Sequence, residues 1–256
     1  MKKLLAGLLL LSSVLTFSER VIKSSDAYMD GNEIIYVKGE KTPYMGVIES
    51  YNSKGVLEAR SNFTNGKLNG SSKLFHPNGK VQIEETYKNG LEEGMYKKYN
   101  ENGNLILEIP HKNGKAEGIA KIYYPNGKLE GEEIYKNDVL DGIGKYYDEN
   151  GKLFLELSYK NGKREGVSKR YYPNGKLQGE AIFKNDLGVG IHKYYDESGN
   201  LILEIPYKNG KIDGVAKRYY PNGKLKAEAT YKNNVLEGPV KNYDENGKFS
   251  QHSSTF

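Results

Sequence analysis

The sequence predicts an all-β fold, an elongated single-sheet meander of tandem 24-residue β-hairpin repeats. Each 24-residue interval contains two turn signals of the Asn-Gly or Asn-Asp kind, flanked by short aromatic and aliphatic runs, which is typical of two strands per repeat. No stretch between these turns sustains the apolar period of a helix. The period itself is marked by a glycine that recurs without insertion or deletion: Gly46, Gly70, Gly94, Gly118, Gly142, Gly166, Gly190, Gly214 and Gly238. A fixed period of this length predicts stacked repeats that present an extended surface.

The first element, residues 1–18, is predicted to be a signal peptide. Lys2 and Lys3 precede an uncharged apolar run that ends at Phe17, and this run is shorter than the roughly 20 residues of a membrane span. Cleavage is expected before Glu19, with an uncleaved signal anchor as the alternative. Cysteine is absent, which excludes a lipid-modified cysteine and a disulfide framework. We therefore expect an exported protein located in the periplasm, the cell envelope or the extracellular space.

The remaining chain divides into three parts. Residues 19–45 are predicted to form a degenerate capping segment, because an Asp-Gly pair at residues 30–31 lies one period before Gly55 and a terminal repeat must differ from the others. Residues 46–249 hold the tandem repeats, eight full units and a partial ninth. Residues 250–256 contain no strand signal, and we expect a frayed tail.

Several columns of the repeat are nearly constant when each anchor glycine is counted as position 0. Position 5 is aromatic and position 9 is glycine in every unit, position 11 is apolar, and position 14 is glutamate from Glu84 to Glu228. Position 7 is proline in four units, and proline cannot donate the hydrogen bond that closes a two-residue hairpin turn. Pro-Asn-Gly suits a type I turn with glycine in the left-handed position.

This turn predicts that position 6 pairs with 10, position 5 with 11 and position 3 with 13. One face of the sheet then carries positions 1, 3, 5, 11, 13, 15 and 17, and the other carries the more polar positions 2, 4, 6, 10, 12, 14 and 16. The length of the second turn stays open. A 48-residue superperiod also alternates large and small residues at position 13, with Leu107, Leu155 and Leu203 against Gly131, Gly179 and Ala227. This alternation favours interlocked packing of adjacent hairpins, alongside duplication of a 48-residue block.

Composition limits the function. The formal charge of +5 falls to +3 when Lys2 and Lys3 are removed, which is too small an excess for nucleic-acid binding. The four histidines are scattered, and the Asp-Glu-Asn-Gly turns lack the later ligands of a calcium loop. The position 14 glutamates are expected to form an ion ladder with nearby lysines. We predict no cofactor, no metal site and no enzymatic activity.

The remaining candidate is a surface of lysine at position 3 and tyrosine at position 5. One interpretation is structural, with lysine stems covering core tyrosines while the amines reach water. The other is a binding surface for anionic lipid headgroups, glycans or a strand of a partner, since tyrosine adds contact area at low entropic cost. The candidate residues are Lys121, Tyr123, Lys145, Tyr147, Lys169, Tyr171, Lys193, Tyr195, Lys217 and Tyr219.

The stretch YYPNGKLEGEEIYKNDVLDGIGKYY resembles the MORN repeat family in its bacterial variant with longer units, and the resemblance covers roughly residues 44–249. It implies binding to proteins or membranes and supplies no catalytic residue. Relatives include antitoxin-like proteins and proteins with export signals. Short MORN units carry a tryptophan, which this chain lacks, so lipid specificity does not transfer from them.

Taken together, the sequence predicts an exported, non-enzymatic repeat scaffold. Its Tyr/Lys surface is expected to bind a protein or an envelope or membrane partner, and its oligomeric state stays open. The first alternative is an antitoxin-like inhibitor of a cognate toxin. The second is an envelope-polymer hydrolase that would depend on Glu132, Glu156 and Glu180.

Overall fold

The computed structural model describes residues 19–253 and 255–256, so the predicted signal peptide lies outside the described residues. In chain order the strands are β1 Val21–Lys23, β2 Ala27–Met29, β3 Ile35–Val37, β4 Gly46–Tyr51, β5 Leu57–Thr64, β6 Lys67–Phe75, β7 Val81–Lys88, β8 Leu91–Glu92, β9 Gly94–Tyr99, β10 Leu105–Lys112, β11 Lys115–Ala116, β12 Gly118–Tyr123, β13 Leu129–Lys136, β14 Val139–Leu140, β15 Gly142–Tyr147, β16 Leu153–Lys160, β17 Lys163–Arg164, β18 Gly166–Tyr171, β19 Leu177–Lys184, β20 Leu187–Tyr195, β21 Leu201–Lys208, β22 Lys211–Ile212, β23 Gly214–Tyr219, β24 Leu225–Lys232, β25 Val235–Tyr243 and β26 Phe249–Ser253. A 3₁₀ turn spans Ser24–Asp26.

From β4 to β26 the chain is an antiparallel meander, in which each long strand pairs with the next long strand. The short strands β8, β11, β14, β17 and β22 pair with the long strand that precedes them. Together with β1, these strands form one 24-stranded sheet among the described residues. The predicted fold class, an all-β single sheet of tandem 24-residue hairpins, is confirmed. Within the same residues, no helix combines the length and the apolar character needed to cross a membrane.

The first turn of each unit has the predicted closure, but a bulge changes the pairing beyond it. In the unit that starts at Gly118, the Tyr124 amide donates to the Lys128 carbonyl, and Tyr123 pairs with Leu129 as expected. The register then shifts by one residue, so that Lys121 pairs with position 14 and not with position 13. The extra residue is position 12, and this bulge recurs in every unit.

The predicted assignment of side chains to faces is therefore wrong for the second strand. Because side chains alternate along a strand, a one-residue shift moves every later side chain to the other face. One face carries positions 1, 3, 5, 11, 14 and 16, and we call it the Tyr/Lys face. The opposite face carries positions 2, 4, 13, 15 and 17.

The second turn, whose length the sequence left open, has two residues. Lys136 pairs with Val139, and the two residues between them, Asn137 and Asp138, have φ angles of 49° and 68°. Left-handed geometry at both central positions is that of a type I′ turn, which asparagine, aspartate and glycine tolerate. The short strand that follows leads into the next anchor glycine.

The best-buried column of the repeats is position 2, on the opposite face. Ala120 and Ala216 are each 1% exposed. Beside this column, small residues at position 13 leave space that is filled by position 4 tyrosines, and not by the position 13 leucines that the sequence suggested. A Cβ added to Gly131 would lie 3.0 Å from Cδ1 of Tyr146, and one added to Gly179 would lie 3.3 Å from Cδ1 of Tyr194. Tyrosines of one hairpin thus occupy the space left by glycines of the preceding hairpin.

Both turn edges tie each unit to the next. At the first turns, the Tyr124 hydroxyl donates to the Tyr147 carbonyl at 2.8 Å. At the second turns, the Glu117 carboxylate accepts from the Asn137 amide at 2.9 Å. These contacts join adjacent units only, as expected for a stacked repeat.

The segment before Gly46 caps the sheet in a way that differs from the repeats. β1 pairs with β4 in parallel, and β2 and β3 form a separate two-stranded sheet. The turn at Asp30 has the same hydrogen bonds as the first turn of a repeat unit. Its equivalent in the next unit is Asn52, so the spacing between the two turns is two residues shorter than the predicted 24-residue period. Tyr44, only 2% exposed, packs beneath this cap.

The predicted frayed tail at 250–256 is wrong. Residues Phe249–Ser253 form β26, in which Gln251 pairs with Asn242 and His252 with Lys241. Phe256 packs against Tyr231 on the opposite face. A free edge of β25 offers backbone groups to any neighbouring extended segment, so a strand forms here without an apolar pattern of its own.

Candidate functional site: the Tyr/Lys face

The ten candidate residues lie together on the Tyr/Lys face in two adjacent columns. Positions 3 and 5 are two residues apart on the first strand of each unit, which directs both side chains to the same side. All ten are partly buried. The meander repeats the pair on every second main strand from β12 to β23, so the sequence-predicted residues are assembled into one stripe.

The lysine column does not form a cationic ribbon, because the position 14 glutamates lie between the lysines. Glu132 pairs across the sheet with Lys121 on one side and Lys145 on the other. The same alternation runs from Lys73 to Lys241, with ammonium-carboxylate distances of 2.9 Å for Lys73–Glu84, 3.8 Å for Lys193–Glu180 and 3.0 Å for Lys241–Glu228. Partly exposed pairs of this kind add little stability each, but they cancel charge along the stripe.

The tyrosine hydroxyls are bonded to the same glutamates. From Tyr99 to Tyr243, each position 5 tyrosine donates to the position 14 glutamate of the preceding unit, and the distance alternates with the 48-residue superperiod. It is 2.8 Å for Tyr123–Glu108 and 2.8 Å for Tyr171–Glu156, but 3.4 Å for Tyr147–Glu132 and 3.5 Å for Tyr195–Glu180. Tyr219 donates to Glu204 at 2.7 Å.

Burial and these contacts raise the pKa of the tyrosine hydroxyls. Burial, followed by the hydrogen bond to Glu108, raises the pKa of Tyr123 to about 12. Burial and the bond to Glu156 have the same effect on Tyr171, whose pKa also rises to about 12. A fixed, neutral phenol is a poor proton donor, so this arrangement is suited to packing and contact.

An exposed aliphatic band lies beside the alternating lysines and glutamates, and the predicted faces contained only its position 1 half. From Ile119 to Val215, position 1 is aliphatic and well exposed, at 50% for Ile119, 48% for Ile143 and 42% for Val167. Across the bulged register it lies opposite position 16, as in the pairs Ile119–Ile134 and Val167–Ile182. Because the missed bulge placed position 16 on the wrong face, the sequence prediction did not assemble this band.

The histidines do not converge on a site. His76 bonds the Tyr99 carbonyl, and His111 contacts Glu92 at 3.1 Å. His192 is buried against Tyr207, and burial lowers its pKa. In the part of the chain that the structure describes, no cluster of three potential metal-ligating side chains occurs.

Comparison with known families matches this geometry to a repeat type. The profile described as MORN repeat variant matches eight consecutive segments, which together cover more than half of the chain: 68–89, 92–113, 116–137, 140–161, 164–185, 189–209, 212–233 and 236–251. The chain belongs to the MORN repeat variant family. Each matched segment starts one or two residues before an anchor glycine, and the first seven segments end at the second turn. MORN repeats are generally modules that bind proteins or membranes, so this MORN chain is a repeat scaffold of that kind.

Whole-chain relatives add no argument about function. No curated protein matches this MORN chain. A solved structure described as a GtfA/B complex bound to UDP and GlcNAc has 13% identity and a TM-score of 0.22, covering 44% of this chain and 22% of that one. A TcdB2-TccC3-Cdc42 structure has 12% identity and a TM-score of 0.20, with 86% and 15% covered. An alternansucrase complex with isomaltononaose has 17% identity and a TM-score of 0.20, with 77% and 16% covered. The chain therefore spans less than a quarter of each of these chains.

Proposed function

We propose that this MORN protein is a non-enzymatic scaffold that binds a partner protein through the Tyr/Lys face. The observation that carries the proposal is the band of exposed aliphatic side chains at position 1. It lies beside the alternating position 3 lysines and position 14 glutamates. Contiguous exposed apolar surface rimmed by polar groups marks interaction sites. The band continues through Ile191 at 47% and Val215 at 43% exposure, so a long surface is available.

Charge alternation favours a protein over an anionic membrane. An anionic lipid surface attracts clustered lysine and arginine. On this face each lysine between Lys73 and Lys241 has a glutamate beside it, which cancels the attraction at close range. A protein surface with alternating charges and apolar side chains matches both the ladder and the band.

Envelope extract offers a direct test with a matched control. The chain without residues 1–18 is immobilised, and the captured proteins are compared with those retained by the double variant Ile143→Ser, Val167→Ser. The control is Leu74→Ser, Ile122→Ser, which removes two aliphatics from the opposite face. We expect the first variant to lose the captured partner and the control to keep it. Equal capture by both variants would refute the Tyr/Lys face as the binding surface.

Vesicles distinguish the membrane alternative. We expect no sedimentation of the protein with phosphatidylglycerol-containing vesicles at physiological salt. Salt-sensitive sedimentation that is lost in Lys145→Ala, Lys169→Ala would replace the protein partner by a lipid surface.

Export is a second part of the proposal, supported by the basic start and the short apolar run of residues 1–18. The protein recovered outside the cytoplasm should begin near Glu19 when its amino terminus is sequenced. A full-length protein in the cytosol would contradict export without affecting the proposed binding face.

A further inference from the structure

A hollow of about 370 Å³ lies on the opposite face, where β16, β18, β19 and β20 meet. Its lining is mainly apolar, with arginine side chains at the rim. Arg164 already covers the Phe183 ring, with its guanidinium carbon 4.2 Å from the ring centroid. The apolar and small lining residues used below are Leu155, Leu157, Gly179, Ala181, Phe183 and Tyr194.

The hollow is open because position 15 of this unit is alanine. In the unit 48 residues earlier, the same position holds Glu133, which accepts from the Tyr146 hydroxyl at 2.6 Å and the Tyr135 hydroxyl at 3.0 Å. The counterparts of these two tyrosines, Phe183 and Tyr194, line the hollow, so the two rings are kept while Glu133 is replaced by Ala181. Ala181 leaves the space empty, and Tyr194, the counterpart of Tyr146, remains 37% exposed.

In the unit 48 residues later, where Asn242 stands in place of Tyr194, an aromatic ring packs against the equivalent small residues. There the equivalents of Gly179 and Ala181 are Ala227 and Ala229, and both pack in a cluster with Phe256. Arg218, the equivalent of Arg170, lies over the Phe256 ring at 4.7 Å from its centroid. The aromatic side chain belongs to Phe256, which comes after β26 in the chain.

We propose that the hollow at Gly179 and Ala181 binds a phenylalanine-type aromatic side chain of a partner polypeptide. The ring takes the place that Phe256 has one superperiod later, and Arg170 covers it as Arg218 covers Phe256. A guanidinium over an aromatic face and a small-residue floor together recognise a flat ring better than a branched aliphatic side chain. This site lies on the face opposite to the proposed Tyr/Lys surface, so the two proposals succeed or fail separately.

The test uses N-acetyl-phenylalaninamide as the probe and N-acetyl-leucinamide as its control. Binding to the folded chain is followed by NMR shifts of backbone amides. We expect the aromatic probe to move the amides of Gly179 and Ala181 at lower concentration than the leucine probe does. Equal titration by the two probes, or shifts confined to other units, would overturn the proposal.

Three variants locate the site. Ala181→Glu installs the residue that closes the earlier unit and should abolish the response. Arg170→Ala should weaken it several-fold, and because this side chain is exposed the variant tests the site even where Ala181→Glu disturbs folding. Phe256→Ala should open the last hollow and add a second set of shifts at Ala227 and Ala229. Retained binding in Arg170→Ala, or no second set in Phe256→Ala, would refute the analogy with Phe256.

Discussion

At the scale of single residues, the Tyr/Lys face depends on glutamates that serve two kinds of neighbour. Glu156 accepts from the Tyr171 hydroxyl at 2.8 Å and lies between Lys145 and Lys169 in the sheet. One carboxylate thus fixes an aromatic ring and neutralises the ammonium groups beside it. The position 14 column explains why the stripe carries no strong net charge.

Alkaline titration tests this coupling. The pKa of Tyr171 is raised from 10.0 to about 12 by burial first and by Glu156 second. The stability associated with this shift is fully present below pH 10, and it is lost as the pH rises toward about 12. In Glu156→Gln we expect the pKa of Tyr171 to be lower than in the unsubstituted protein, because the carboxylate is lost. Part of the phenolate absorbance should therefore appear at lower pH. The control is Glu149→Gln in an exposed turn, and a change of equal size there would contradict the assignment.

Ser168 provides a second test at the same scale. Its side chain is 6% exposed, and its hydroxyl has no hydrogen-bond partner within the described residues. Burying an unsatisfied hydroxyl costs about 1–3 kcal/mol. Ala120 and Ala216 occupy the same position in neighbouring superperiods, so alanine fits this site.

We therefore expect Ser168→Ala to raise the free energy of unfolding, by about 1 kcal/mol. Chemical denaturation measures the change. Ser72→Ala is the control at the same repeat position, because the Ser72 hydroxyl bonds Ser61 at 2.8 Å and its removal should destabilise. Destabilisation of similar size in both variants would show that the Ser168 hydroxyl is satisfied in solution.

At the scale of the hairpin, the anchor glycine makes the bend between the short strand and the first main strand. Gly142 has a φ of 145°, and a Cβ there would lie 2.7 Å from Cδ1 and 2.9 Å from Cβ of Ile134. Gly94 has a φ of 106°, but a Cβ there would lie 3.7 Å from Cβ of Thr86. Both positions disfavour alanine by their backbone, and only Gly142 adds a close contact.

We expect alanine at these two positions to lower the free energy of unfolding by different amounts. Gly94→Ala should lower the free energy of unfolding by about 1–3 kcal/mol, the usual cost of an unfavourable φ. Gly142→Ala should cost more, because Ile134 must also move. Denaturant unfolding of both variants gives the comparison. Equal costs would mean that Ile134 moves freely and that backbone conformation alone selects glycine.

At the scale of the whole molecule, stacking makes the units exchangeable in blocks of 48 residues. Each unit contacts its neighbours, and the edge bonds repeat with the same period, as in Tyr124 to Tyr147 and Tyr172 to Tyr195. Repeat proteins of this kind lose stability and surface in proportion to the units removed. The binding surface is distributed in the same way.

Deletion of residues 118–165 tests this distribution. The junction then joins Glu117 to Gly166 and keeps the anchor glycines in register. We expect the strand-type circular dichroism per residue to be unchanged and the affinity for the captured partner to fall, since fewer linked contacts remain. Lys145→Ala alone should have little effect. Loss of all binding in Lys145→Ala, with full binding by the deletion variant, would show a single local site.

The amino-acid sequence by itself determined the period, the two strands per unit, the first turn and the Tyr–Leu pairing, because glycine, proline and asparagine restrict the backbone locally. It also placed the lysine and tyrosine columns on one face. Only the tertiary structure decided which residues of the second strand join them. The bulge at position 12 depends on hydrogen bonding with both neighbouring strands. The sequence does not reveal it, because the face assignments with and without the bulge both leave apolar residues on each face. The same dependence on neighbours explains β26, which pairs because β25 presents an edge.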